Sequence, residues 1–228
     1  MSNNGYKKMS FDDIIRNKKV LLLGPAPHVL EEKSIEDWRD FDLVVKINKM
    51  VENLNFNDDE LNYKNDILYH CLDVNPEIGD KQYSIDTWIE KNVDLLRISP
   101  PPFRFYYRQN IIKFLSLNKN RISFSIVDKS DYLELFEACQ NTIPNTGTFA
   151  IFDLLKHNPK VLHIRGITFF RGGYSKDYKE MILSEEEIRK SYRSSSHDID
   201  KQMLFFKELY KNNEKIIKPD EELLDVIK

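Results

Sequence analysis

Short, nearly continuous apolar runs recur along this chain, separated by segments of helix length. The first is Lys19-Val20-Leu21-Leu22-Leu23, closed by Gly24. Leu43-Val44-Val45-Lys46-Ile47, Asp66 to His70, Val93 to Ile98, Ile122 to Val127 and Val161 to Arg165 repeat the pattern. Such runs read as strands buried on both faces, and strands alternating with helices build a parallel sheet with helices above and below. The expected fold is therefore α/β: a single Rossmann-like α/β/α domain over residues 1–228 with a mostly parallel central sheet. Helices are expected after the capping-box-like Ser10-Phe11-Asp12-Asp13, over Glu31 to Arg39, and over Ser84 to Lys91 with Trp88 inward. Further helices are expected over Phe105 to Leu117, Tyr132 to Ala138, Asn145 to Lys156, Ser184 to Tyr192 and Ile199 to Lys211. Glu52 to Lys64, rich in Asn and Asp, reads as a solvated loop.

In open parallel sheets, ligands bind beyond the carboxyl ends of the strands. Gly24, Asn48, His70, Ser99 and Gly166 all fall there. Gly24-Pro25-Ala26-Pro27 is either a phosphate cradle or a plain turn. It lacks both the dinucleotide and the P-loop glycine patterns, and its prolines remove two N–H donors. Asn48, with Lys46 and Lys49 beside it, can bind a phosphate or sugar hydroxyl, or it can bond its own backbone. Asn145-Thr146-Gly147 is a small, hydroxyl-bearing helix start whose dipole favours an anion, or an ordinary cap. Gly166, Arg165, Arg171 and Tyr174 can set a cation and a phenol over a phosphate; the alternative is an aromatic strand end and a loop. His197, in a polar loop ahead of the last long helix, suits a general base near neutral pH, or it is a surface histidine. Asp198 or Asp200 would orient it or cap the helix. His28, His70, His157 and His163 are weaker candidates.

The formal charge of −3 and pI near 6.0 give no overall basic surface for nucleic acid, although 34 Lys and Arg leave room for a local basic patch. No run approaches the ~18 apolar residues that span a bilayer. Met1 to Ser10 lacks a signal-peptide core, so cytoplasmic residence is expected. Cys71 and Cys139 read as thiols rather than a disulfide framework, and no Cys/His spacing suits zinc.

Three of these segments, in order, resemble the sialyltransferases of glycosyltransferase family 29 and, more loosely, of family 42. They are Val20 to Asn48, Pro144 to Gly166, and His197 leading into Met203-Leu204-Phe205-Phe206-Lys207-Glu208-Leu209. The resemblance covers about half the chain. It implies a sialyltransferase-like variant of the GT-A fold and a metal-independent, inverting transfer from a CMP-sugar, usually CMP-sialic acid, to a glycan hydroxyl. It implies no cofactor and no metal. By the same resemblance His197 deprotonates the acceptor, and Asn48, Thr146 and Gly147 hold the cytidine monophosphate. Gly24, Pro25, Ala26, Asn145 and Gly166 complete the nucleotide set, and Tyr174 stabilises the leaving phosphate. Pro25 stands where the family usually has Asn, Asn145 replaces its usual Ser, and neither cysteine lies where the Golgi enzymes place a disulfide. Another donor, CMP-Kdo or a pentose nucleotide, and a non-catalytic nucleotide- or glycan-binding module are the alternatives.

Overall fold

The computed structural model describes residues 10–30, 37–73, 83–102, 107–175, 178, 184–194 and 197–228. Seven strands form one sheet: β1 (Lys19–Leu23), β2 (Leu43–Ile47), β3 (Asn65–His70), β4 (Val93–Ile98), β5 (Ser123–Ile126), β6 (Val161–Arg165) and β7 (Ile217–Pro219). Their order is β5-β4-β3-β2-β1-β6-β7, and every pair is parallel. The helices are α1 (Phe11–Ile15), α2 (Met50–Asn53), α3 (Asp59–Asn62), α4 (Ile85–Glu90) and α5 (Tyr107–Asn118). They continue with α6 (Lys129–Ala138), α7 (Thr146–Lys156), α8 (Glu185–Ser194), α9 (Ile199–Asn212) and α10 (Glu221–Ile227). No described helix is long and apolar enough to cross a membrane.

Strand periodicity accounts for the layering. On β3, Ile67 and Tyr69 join the core that contains α7, while Leu68 joins a second core with Trp88 of α4 and Phe114 of α5. The short α1 forms because Ser10 and Asp13 complete a capping box. α7 carries an almost wholly apolar sequence, as befits a helix buried from Gly147 to Leu154.

The sheet is parallel as expected, and it gains β7, whose three residues are too short to register as an apolar run. Two sequence expectations need correction. The Glu52 to Lys64 stretch is not a plain solvated loop: Leu54, Phe56 and Leu61 are buried, and the Asn62 side chain bonds both the N–H and the carbonyl of Phe56. Asp58 then caps α3 by accepting from the Glu60 and Leu61 N–H groups. Asn62 and Asp58 thus serve local backbone. Within Glu31 to Arg39, residues 31–36 lie outside the described residues, and Trp38–Asp40 forms a single 3-10 turn. The start of the expected Phe105 to Leu117 helix also lies outside them.

The chain leaves β1 toward β2 but leaves β6 toward β7, so the connections diverge between these neighbours, the place where open α/β sheets bind ligands. Here the two strand ends are stitched together. The Gly24 N–H donates to the Arg165 carbonyl (2.7 Å) and the Ala26 N–H to the Gly166 carbonyl (3.1 Å). Gly166 has φ +74°, and a Cβ there would overlap Val29 Cγ2 and the Gly24 carbonyl oxygen. We expect Gly166→Ala to cost about 2–4 kcal/mol through left-handed strain and overpacking. An unchanged urea midpoint would contradict this reading of the contact.

Candidate active site

α7 delivers its N-terminus to the carboxyl edge of the sheet. A Cβ on Gly147 would lie 3.4–3.5 Å from the Cδ1 atoms of Ile167 and Ile47, so the first turn sits close over the ends of β6 and β2. Asn145 is the N-cap: its Oδ1 accepts from the Thr148 N–H at 2.8 Å. Among the described residues the N–H groups of Thr146 and Gly147 have no acceptor. They are two of the four donors that a helix start leaves unpaired, at its positive end.

Asn48 faces this turn. It ends β2 at φ +46°, a left-handed conformation that Asn tolerates better than most residues. Its Nδ2 donates to Thr146 Oγ1 (3.1 Å), and its Oδ1 accepts from the Cys71 N–H (3.3 Å). One amide therefore ties the ends of β2 and β3 to the start of α7. Lys46 points elsewhere, donating from its buried Nζ to the Leu61 carbonyl at 2.7 Å. Burial, with Lys91 nearby, lowers its ammonium to about 7.

His197 reaches the same region from the start of α9. Its Nδ1 lies 2.7 Å from the Ile143 carbonyl oxygen, two residues before the α7 cap. A carbonyl can only accept, so Nδ1 carries the proton and Nε2 is the basic nitrogen. Asp198 caps α9 by accepting from the Lys201 N–H, and the Ile143 carbonyl sets the ring.

Gln202, absent from the expected site, links these parts. It is fully buried; its Oε1 accepts from the Asn145 N–H (2.8 Å) and Thr148 Oγ1 (3.0 Å). Its Nε2 donates to the Ile143 carbonyl at 3.1 Å, the acceptor that also holds His197. These partners fix the orientation of the amide, since both groups at Oε1 donate and the one at Nε2 accepts. The sequence held a signal: Ile199, Gln202 and Phe206 are the buried residues of α9, and a polar residue on a core stripe needs partners.

The β1 turn contributes shape more than donors. Gly24 and Ala26 spend their N–H groups on β6 and its following residue, and Pro25 has none to give. The Pro25 carbonyl accepts from the Ser175 N–H (2.8 Å) and Oγ (2.9 Å), which draws the Tyr174 segment against this turn. Tyr174 itself packs on Phe170 and Tyr178, with ring centroids 5.4 and 4.8 Å away. The expected cations are engaged elsewhere: Arg165 pairs with Asp37, and Arg171 donates to the Asp225 carbonyl.

The weaker histidines have other work. His70 accepts from the Leu72 N–H through Nδ1, and burial, aided by the nearby Lys49 charge, drives it to about 3. Beside it Glu52 accepts from Trp88 Nε1 (2.6 Å), and burial raises its carboxyl to about 7. His163 packs on Phe41 in β6, and its pKa is lowered, chiefly by burial. His28 Nε2 lies 2.9 Å from Asp220 Oδ2 and 3.5 Å from Glu222 Oε2, the one group among the described residues whose donors could converge on a cation. Asp220 is already committed, accepting from the Gly166 N–H (2.7 Å) and capping α10.

This arrangement is a sialyltransferase-like fold. The chain superposes on a mammalian sialyltransferase in complex with Gal-beta-1-3GalNAc-ortho-nitrophenol with TM-score 0.52 and 16% identity, over 90% of this chain and 70% of that one. It superposes on the sialyltransferase CstII from Campylobacter jejuni, in complex with the substrate analogue CMP-3FNeuAc, with TM-score 0.54 and 15% identity. That match covers 89% of this chain and 80% of CstII. No protein-family model and no curated protein matches the sequence.

Proposed function

We propose that this protein is an inverting glycosyltransferase that moves a sugar, sialic acid in the first instance, from a CMP-sugar to a glycan hydroxyl. The observation that carries the reading is the hub at Ile143 and Gln202. It holds an imidazole with its basic nitrogen defined beside a helix start with two unclaimed N–H groups. The two structural neighbours in complex with a CMP-sugar analogue and a glycan compound support the donor and acceptor classes.

In this reading the acceptor hydroxyl gives its proton to His197 Nε2 as its oxygen bonds to the anomeric carbon. The bond from that carbon to the phosphate oxygen breaks, and CMP leaves with the electron pair. The Thr146 and Gly147 N–H groups and the α7 dipole meet the charge developing on the phosphate, where preorganised donors act without reorganising. Asn48 and Thr146 hold the nucleotide, the glycine-lined turn of Gly24, Pro25, Ala26 and Gly166 shapes its bed, and Tyr174 closes the phosphate side. A monophosphate leaving group needs less charge neutralisation than a diphosphate, so no metal is assigned a part.

A thermal-shift panel of CMP, UMP, UDP, GDP and CMP-sialic acid, run with and without EDTA, tests this directly. At ~100 Kd a ligand specific for the folded state adds about 2.7 kcal/mol, or roughly 5–10 °C for a chain of this size. We expect that shift from CMP and CMP-sialic acid alone, unaffected by EDTA. A shift from UDP or GDP would replace the donor. Loss of the CMP shift in EDTA would turn attention to His28, Asp220 and Glu222.

A further inference from the structure

The helix α5 carries an outward surface that its own packing does not explain. Its inner face is complete: Phe114 is fully buried and meets Phe124 edge-on at 5.3 Å, and Asn118 bonds both the N–H and the carbonyl of Ile122. Yet of the six large apolar side chains exposed among the described residues, three lie here: Ile112 at 65%, Leu115 at 44% and Leu117 at 43%. Single exposed aliphatics are ordinary. Three on one twelve-residue helix, with the inward face already satisfied, are not accounted for by core formation.

The charges along the helix and just past it all have one sign. From Tyr107 to Arg121 the sequence holds Arg108, Lys113, Lys119 and Arg121 and no Asp or Glu, in a chain whose net charge is −3. All four cations are exposed, with Arg121 also paired to Asp86 of the neighbouring α4. Arg108, Ile112 and Leu115 recur at helical spacing along one stripe, and Lys119 follows just past the helix end, its N–H still bonded to the Leu115 carbonyl. The surface is thus two aliphatic side chains framed by cations, with Leu117 beside Lys113 on the other flank.

Two kinds of partner fit such a surface, and area decides between them. A stable protein interface buries about 800 Å² on each partner around a contiguous apolar centre. Three aliphatic side chains separated by Gln109, Ser116 and cations do not supply that centre. A bilayer asks for less: aliphatic side chains that dip to the headgroup boundary, and Lys or Arg that meet anionic lipid. We propose that α5 is a docking surface for an anionic phospholipid bilayer, with Ile112 and Leu115 inserting and Arg108 and Lys119 contacting the headgroups.

Topology gives the docking a direction. Because β4 and β5 are parallel, the connection through α5 must return the chain from the carboxyl edge of the sheet to its amino edge. The Arg108 end of α5 therefore lies at the edge that bears Asn48 and the start of α7 and the Lys119 end at the opposite edge, so docking lays the helix lengthwise along the membrane. The inference rests on α5 alone and does not depend on the transfer chemistry.

The test is co-sedimentation of the full chain with vesicles of equimolar phosphatidylglycerol and phosphatidylcholine, against vesicles of phosphatidylcholine alone, at low and high salt. We expect binding to the anionic vesicles at low salt, at least ~10-fold weaker on pure phosphatidylcholine and weakened by salt. Ile112→Glu with Leu115→Glu, and separately Arg108→Glu with Lys119→Glu, are each expected to lower vesicle affinity ~10-fold or more. Their thermal midpoints should stay unchanged, since all four side chains lie outside the core. Absence of binding, equal binding to both vesicles, or wild-type affinity in either double variant would overturn the proposal. A wild-type dimer that the Ile112/Leu115 variant dissociates in light scattering, with no vesicle binding, would assign the face to a second copy of this chain instead.

Discussion

His197→Ala is expected to lower sugar transfer by at least ~10²-fold, the usual scale for losing a general base, while CMP affinity stays within about twofold. The split follows from where the side chain is tied. His197 bonds the Ile143 carbonyl through Nδ1, whereas the proposed phosphate donors belong to Thr146 and Gly147. Removing the ring deletes the proton acceptor and leaves the α7 cap intact. Gln202→Met serves as the contrasting variant, because it takes partners from the Ile143 carbonyl, the Asn145 N–H and the Thr148 hydroxyl together. It should weaken CMP binding as well as turnover, since the helix start loses its anchor. Steady-state kcat and KM with calorimetric CMP binding separate the two patterns. Wild-type turnover in His197→Ala would remove it from the mechanism, and unchanged CMP affinity in Gln202→Met would disconnect the hub from the nucleotide.

The sequence revealed the strands that carry long apolar runs and the residues that end them, because burial on both faces of a parallel sheet leaves a continuous signal. Gly24, Asn48, Asn145 and Gly166 were legible for the same reason: each sits where a strand stops or a helix starts, and the backbone there restricts residue type. β7 was not legible, since three residues at a sheet edge need little apolar sequence. The buried anchors Leu54, Phe56 and Leu61 were hidden among polar neighbours that serve the backbone. Gln202 and the orientation of His197 were out of reach for a different cause. Both depend on a carbonyl 54 or more residues away, and main-chain acceptors have no sequence signature. Asp153 stood in plain sight inside an apolar helix, with its partners on distant strands.

That carboxylate provides the largest expected effect on stability. Asp153 is fully buried on α7 and accepts from Arg97 Nε (2.9 Å), Arg97 Nη2 (3.0 Å) and the Tyr69 hydroxyl (2.7 Å). Phe11 lies 4.2 Å from the Arg97 guanidinium, and Ser125 takes its remaining arm, so the pair joins α1, β3, β4 and β5 to the helix that bears the anion site. His157 Nε2 stands 3.7 Å from Asp153 Oδ1, too far for a hydrogen bond but close enough for charge pairing. Asp153→Ala strands a buried guanidinium and a buried phenol, so we expect a loss of about 3–5 kcal/mol. The pH dependence of that loss identifies its source. Burial pushes the Asp153 carboxyl up, but His157 and Arg97 overrule it and hold it at about 2, against its ordinary 3.8. A depressed acid contributes stability above its unfolded pKa and loses it as pH falls through the folded one, here a window of about 2–4 worth roughly 2–3 kcal/mol. His157 is raised above its ordinary 6.5 by Asp153, so its share is present below that value and lost as pH rises through the raised one. The difference between wild type and Asp153→Ala should therefore be greatest between about pH 4 and 6.5 and shrink on either side. His70, neutral in the fold down to about 3, makes both proteins acid-sensitive and cancels from that difference. Urea midpoints of the two proteins across this range provide the measurement. A difference independent of pH would mean that α7 is held by packing rather than by its buried charge.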